Sequence, residues 1–368
     1  LKTAMAPLAS MRAVDADTVE FTLSTPSQNW LFDMSQRAGI IFDPDHRDQL
    51  ATTPAGSGPF VFQQEGWRPG DKAVYRKFAN YVPRSEPADG LAGGKVVKVD
   101  RVEWVWISDI QTQVAAIQNG EIDMIESPGH DLLPLLAKDK NINLFNSNPT
   151  GNQYTFRFNS TAKPFDNAKV RHAVFVAFAQ EDFLKAVIGD PNYYKVCKAM
   201  FMCDTPYATT KGMEAMYDSN FAKAKELLKE GGYDGTPVVL MHSTDLYVLT
   251  NLAPVAKSLM ERAGLKVDMQ SMDWQTLVSR RARKDPPDKG GWNAFLTSSA
   301  AVDIVDPLAN TYINAVGENA WFGWPKDDEL LRLRAAFADE TDPAKQKELA
   351  TAMQVRVSVN PTHGYVGQ

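Results

Sequence analysis

Apolar and polar residues alternate through residues 11–24, MRAVDADTVEFTLS. Val14, Val19, Phe21 and Leu23 flank an Asp-Ala-Asp turn there, which predicts a β-hairpin. GSGPFVF at 56–62, a turn at residues 68–71 and a run holding Val74 and Tyr75 extend the antiparallel pattern. Val102, Trp104 and Trp106 then alternate through DRVEWVWI, and Ser108 with Gln111 makes a capping-box pattern. The box predicts a short helix with Ile110, Val114 and Ile117 inward, ended by Asn119 and Gly120 and followed by a short strand at Ile122 and Met124.

QYTFRFN, residues 153–159, alternates as a strand, and after it the pattern turns from β-rich to helix-rich. We place a lobe boundary here, with residues 1–157 in a first lobe and 158–362 in a second. Helical spacing predicts helices at 171–178 and at 221–230, the latter closed by Gly231 and Gly232. PVVLMHS reads as a strand, and Leu249, Leu252, Val255, Ala256, Leu259 and Ala263 repeat as a helix up to Gly264. LKVDMQSM is a strand again, and a helix starting near Asp273 runs into RRARK, residues 280–284, read as a solvated basic end that complements the helix dipole. WNAFLTS follows as a strand. The β-α-β-α-β order over 237–297 predicts an α/β lobe with partly parallel strands, completed by amphipathic helices at 326–339 and 343–357.

Composition sharpens this picture in three ways. At 368 residues the chain is longer than the roughly 250–300 over which one core usually grows, which favours two lobes. A net charge of −6 gives no general attraction for nucleic acid or anionic lipid. No run approaches the roughly 18–20 apolar residues of a membrane span, and the opening LKTAMAPLASMRAVDADTVEF lacks a signal-peptide core. The chain begins at Leu1 without a methionine, and upstream sequence is expected to have been removed. Cys197 and Cys203, in VCKAMFMC, suit a disulfide in a loop, the alternative being two unrelated thiols. A bridge would point to an oxidising compartment.

Catalytic motifs are missing from the sequence. The five histidines are scattered without HExxH or HxH spacing, and no GxSxG, GxxxxGK[ST] or GxGxxG run occurs. Neither a metal site nor a cofactor is expected. Carboxylate pairs are set in space and stay open, so a secreted carbohydrate-active or peptide-hydrolysing enzyme using Asp245 and Asp303 is the alternative reading. Trp274, just after a strand end where α/β folds place ligands, is a candidate stacking platform, and Arg280 two turns on reads as a solvated or paired helix residue. In SSAAVDIVDPL, Asp306 before Pro307 reads as a helix N-cap with proline at the first helical position, leaving Asp303 in the preceding loop.

GSGPFVFQQEGWRPGDKAVYRKFANY, VDRVEWVWISDIQTQVAAIQNGEIDMIES and NSTAKPFDNAKVRHAVFVAF occur in that order. Together they resemble the linked motifs of the family 5 extracytoplasmic solute-binding proteins, the dipeptide, oligopeptide and nickel-binding group that serves ABC importers. The resemblance continues through WFGWP. It implies an α/β, two-lobed, periplasmic-binding-protein-like fold (type II, cluster C-like) with mixed sheets, closing over a solute without catalysis. It also implies that an N-terminal part of lobe one and a final return segment are missing, with residues 363–368 beginning the return crossover. The implied partners are a small organic solute (a peptide, amino compound, opine or oligosaccharide) and importer permease subunits. A monomer in the periplasm, or anchored outside the membrane, is expected.

The resemblance also carries site residues. Peptide-binding members place an acid three positions before an acid-proline pair, and counting back from Asp306 gives Asp303 as the anchor for a ligand ammonium. Dipeptide binders use a basic residue in the loop after the strand matching PVVLM. Here that loop is HSTDLY, with His242 and Asp245 but no Arg or Lys, so a ligand carboxylate is absent or held elsewhere. Asn152, Gln153 and Tyr154 stand at the expected crossover, where polar side chains can reach a ligand.

Overall fold

The computed structural model describes residues 8–24, 30–35, 41–50, 52–90 and 92–368. The first seven residues of the 1–157 segment lie outside the described residues. Two compact units divide the chain, one of Leu1–Thr25 with Asn29–Pro128, the other of Pro26–Gln28 with Gly129–Gln368.

The first unit opens with the expected hairpin, β1 (Leu8–Ala13) paired antiparallel with β2 (Val19–Leu23), followed by helix α1 (Trp30–Ser35). Strands β3 (Phe60–Phe62), β4 (Lys72–Lys77) and β5 (Arg101–Val105) form an antiparallel sheet in that order. Helix α2 (Ile110–Gln118) follows, but its cap is Asp109, whose Oδ1 accepts from the Thr112 N–H at 2.7 Å, and not Ser108. The strand expected at Ile122 and Met124 does not form. The Glu121 N–H instead donates to the Ala116 carbonyl at 2.8 Å, winding the chain around the helix end where a strand would extend away from it.

The second unit contains α3 (Leu133–Leu136), β6 (Asn152–Phe158), α4 (Ala168–Ala177), α5 (Gln180–Val187) and α6 (Phe221–Glu230). It continues with β7 (Val238–Ser243), α7 (Tyr247–Thr250), α8 (Leu252–Ala263), β8 (Val267–Met272), α9 (Trp274–Arg280), β9 (Ala294–Ala300), α10 (Asp328–Asp339), α11 (Pro343–Val359) and β10 (His363–Gly367). A five-stranded mixed sheet runs β10-β6-β9-β7-β8. Strand β7 is parallel to β8 and β9, as the β-α-β-α-β pattern predicts, and β6 is antiparallel to β9 and β10. Strand β6, where the sequence pattern sets the lobe boundary, is thus interior to this sheet.

Both faces of β6 are buried, and its alternation separates two kinds of packing. Tyr154, Phe156 and Phe158 turn to an aromatic core, with Phe156–Phe178 and Phe158–Phe165 ring centroids 5.3 and 4.8 Å apart, edge to face. Gln153, Thr155 and Arg157 turn to the other face and are fully buried there. Burying a guanidinium is costly unless its donors are satisfied. Arg157 meets this with four backbone carbonyls, those of Phe322 (2.6 Å), Tyr312, Thr362 and Trp321 (3.1 Å each). These bonds hold residues 311–324 across the sheet. Close packing on the first face is strict as well, since a Cβ at Gly364 would collide with the Phe175 ring.

Candidate functional site

The directions of the five strands bring the C-terminal ends of β7, β8, β9 and β10 and the N-terminal end of β6 to one sheet edge. Six of the seven sequence-predicted ligand residues lie within two positions of this edge, and Asp303 follows the end of β9. Each is positioned by local chemistry. Asp273 caps α9 by accepting from the Thr276 N–H at 2.8 Å, which sets Trp274 at the first helical position, half-buried between two apolar clusters. Asp245 is exposed, but its Oδ1 accepts from the Trp274 N–H at 2.7 Å and from the Ser243 hydroxyl at 3.3 Å. The Asp245 carboxylate therefore ties the loop after β7 to the start of α9.

His242 is buried and spends both ring nitrogens internally. Nε2 donates to the Thr250 carbonyl at 2.8 Å, and Nδ1 accepts from the Ser271 hydroxyl at 2.9 Å. That is the bonding of a structural histidine. Of residues 152–154 only Asn152 is exposed, because Gln153 and Tyr154 alternate into opposite buried faces. Burial pushes the Tyr154 hydroxyl up to about 12, helped by the nearby Tyr247, so it stays neutral. Gln153 donates to the Ala199 carbonyl at 3.3 Å.

Asp303 is half-buried in the single 3₁₀ turn Ala301–Asp303 that ends β9. Asp306 does cap, but what it caps is one turn and not a helix, accepting from the Leu308 and Ala309 N–H groups at 2.7 and 3.0 Å. Helix growth stops because the buried Arg334 guanidinium takes the Pro307, Leu308 (2.9 Å) and Asn310 (3.1 Å) carbonyls that a helix would need.

RRARK is solvated only in part: Ala282, Arg283 and Lys284 are exposed, whereas Arg280 and Arg281 are half-buried. Arg280 donates to the Gly290 and Gly291 carbonyls at 3.1 and 2.7 Å, and the half-buried Arg281 lies among aromatic rings. Several residues at this edge carry no signal in the sequence pattern. Ser299 faces Gln153 across β6–β9 and shares a 2.6 Å hydrogen bond with the buried Tyr312 hydroxyl. Tyr312 in turn packs on Trp321, with centroids 5.0 Å apart. The basic run 280–284 was the one available hint to Arg281, and its spacing alone did not separate it from Arg280.

The Cys197–Cys203 disulfide is present, with Cα atoms 5.8 Å apart, and it brackets the buried Met200, Phe201 and Met202. Among the described residues no group of three or more His, Cys, Asp or Glu is placed to hold a metal ion, and no helix is long and apolar enough to cross a membrane. Two surface concavities, of about 810 and 670 Å³, lie at the opposite end of the sheet, beside Asn159, Pro237 and Thr362. Their charged linings include Arg280 and Arg171, both already bonded to carbonyls, so size does not make them the site.

Comparison with known proteins decides the family. Residues 2–321 match the model of the bacterial extracellular solute-binding proteins, family 5. The chain belongs to this family. Within the family's curated relatives, it is 38% identical over 310 residues to the "probable peptide ABC transporter periplasmic-binding protein" of Sinorhizobium fredii, covering 83% of this chain and 58% of that protein. It is 26% identical over 360 residues to the glutathione-binding protein GsiB of Escherichia coli, covering 94% of this chain and 66% of that protein. The chain thus spans less than two thirds of these relatives. Among solved structures, the periplasmic binding protein DppA from Helicobacter pylori, in complex with the peptide STSA, is similar at TM-score 0.82 and 21% identity, covering 99% of this chain and 69% of that one. AgaA from A. tumefacien R10, in complex with agropinic acid, is similar at TM-score 0.78 and 20% identity, covering 99% and 71%. The fold is therefore the mixed α/β periplasmic-binding-protein fold that the family resemblance implies.

Proposed function

We propose that this chain is part of an extracytoplasmic receptor that captures a small organic solute and presents it to the permease of an ABC importer. The observation that carries the reading is the sheet edge itself. Asn152, Asp245, Trp274 and Asp303 come from four separate strand ends, combining an amide, two carboxylates and an indole without a catalytic constellation. Closure over the solute is part of the proposal. Family membership supports it, as do relatives named for binding peptides and glutathione and fold neighbours solved with a peptide and with agropinic acid. The disulfide and the family's extracellular character support a location in the periplasm or anchored outside the membrane.

A carboxylate-pair enzyme is disfavoured by the use of Asp245 as a structural acceptor for the Trp274 N–H. Binding is the test. Calorimetric titration of the chain with short peptides, opines, amino compounds and oligosaccharides should show one class bound without turnover. Asp303→Ala should weaken a solute bearing an ammonium by about tenfold or more, the loss of one charge-assisted hydrogen bond. Conversion of any bound solute to products would refute the receptor reading, and unchanged affinity in Asp303→Ala would remove Asp303 as the anchor.

A further inference from the structure

Arg281 differs from the other buried or half-buried arginines of the second unit. Arg157, Arg171, Arg280 and Arg334 each spend their guanidinium on backbone carbonyls, and Arg356 pairs with Asp327. The Arg281 guanidinium makes no side-chain hydrogen bond or ion pair with any described residue, and its Nε is buried without an acceptor. Around it stand four aromatic rings. Its Cζ lies 4.8 Å from the Phe322 centroid, 5.3 Å from Trp321, 5.7 Å from Trp274 and 5.9 Å from Phe295.

Ring faces attract the cation but do not satisfy in-plane N–H donors, of which a guanidinium has five. Burial alone disfavours its charge, and no carboxylate among the described residues pairs with it to offset that cost. A planar fork with open donors, walled by apolar rings, is matched by a planar two-oxygen acceptor. Trp274, already at the candidate edge, is one of its walls.

We infer that Arg281 anchors a carboxylate of the captured solute, among the rings of Trp274, Trp321 and Phe322. This assigns the cation missing from the loop 242–247 to the end of α9, and it rests on the reading of this edge as the solute site. The solute class is then a carboxylic acid with an apolar or flat portion beside the acid group. Aromatic walls exclude water and strengthen the ion pair.

Two measurements on the whole chain test this. In the first, the Arg281 Nε–H resonance, assigned by its loss in Arg281→Lys, is followed by NMR during titration with benzoate and, separately, benzamide. A saturable shift with benzoate and none with benzamide is expected; no shift, or equal shifts, overturns the subsite. In the second, tri- and tetrapeptide acids and their C-terminal amides are titrated into wild type and Arg281→Gln, with folding checked by circular dichroism. The acids should bind wild type about 10- to 100-fold more tightly than the amides, and the variant should erase that preference. Equal binding of acid and amide by wild type overturns the Arg281 assignment and leaves the receptor reading standing. Binding of neither peptides nor the wider solute panel counts against the receptor reading, whereas the benzoate shift reports on the subsite alone.

Discussion

Replacing Arg157 tests how the second unit holds the segment that walls the candidate site. Arg157→Met keeps side-chain length but removes every donor, leaving the Phe322, Tyr312, Thr362 and Trp321 carbonyls without this partner. At the low end of about 1 kcal/mol per orphaned buried acceptor the loss is about 4 kcal/mol. Part of it is returned, because burial pushes the guanidinium pKa down to about 10, and methionine relieves that desolvation. A net loss of about 2–3 kcal/mol is expected. Arg157→Lys should be no milder, since a compact ammonium cannot serve four diverging carbonyls and leaves a buried charge poorly paired.

The assay is urea unfolding of wild type and both variants followed by hydrogen exchange, because two compact units can unfold separately. Amides of residues 152–158 and 311–324 should lose protection together, while those of β3, β4 and β5 keep theirs. A destabilisation below about 0.5 kcal/mol in Arg157→Met, or wild-type stability in Arg157→Lys, would refute the carbonyl-clamp reasoning.

Burial of His363, with the charge of Arg157 nearby, holds its imidazole well below the ordinary range, so the folded state binds fewer protons than the unfolded state as pH falls. Stability should therefore drop on going from pH 6.5 to 5, by up to about 1.4 kcal/mol per pH unit for this one group, and His363→Gln should remove that share in urea titrations at each pH. Removing the disulfide by Cys197→Ser with Cys203→Ser should cost about 2 kcal/mol, as expected for closing a short loop. Thermal unfolding of the double variant beside wild type measures it, and equal stability would show the bridge to be dispensable.

Element order was largely legible in the chain. Residues 221–230 became a helix with those bounds, Gly264 ended α8 in the left-handed region at φ 104°, and Asp273 capped α9. Local signals suffice at such places because a cap, a left-handed glycine or a 3.6-residue repeat acts within a turn or two. Where prediction failed, a distant group had intervened. Pro307 should open a helix, but the carbonyls beyond it belong to Arg334 on α10.

The candidate site divides in the same way. The sequence located its strand ends, its indole at Trp274 and its acids at Asp245 and Asp303. It did not say which of these groups were already spent. His242 bonds to Ser271 and Thr250, and Asp245 holds the Trp274 N–H, through contacts 8 to 29 residues apart in the chain. Nor could a period-two pattern say what covers the polar face of β6. Polar alternation ordinarily marks solvent, but here residues 311–324 bring carbonyls over Arg157 and aromatic walls over Arg281. The sequence by itself determined the local elements, the family and the charges available. Only the tertiary structure decided which charges are satisfied, because that depends on acceptors brought together from strands and loops far apart in the chain.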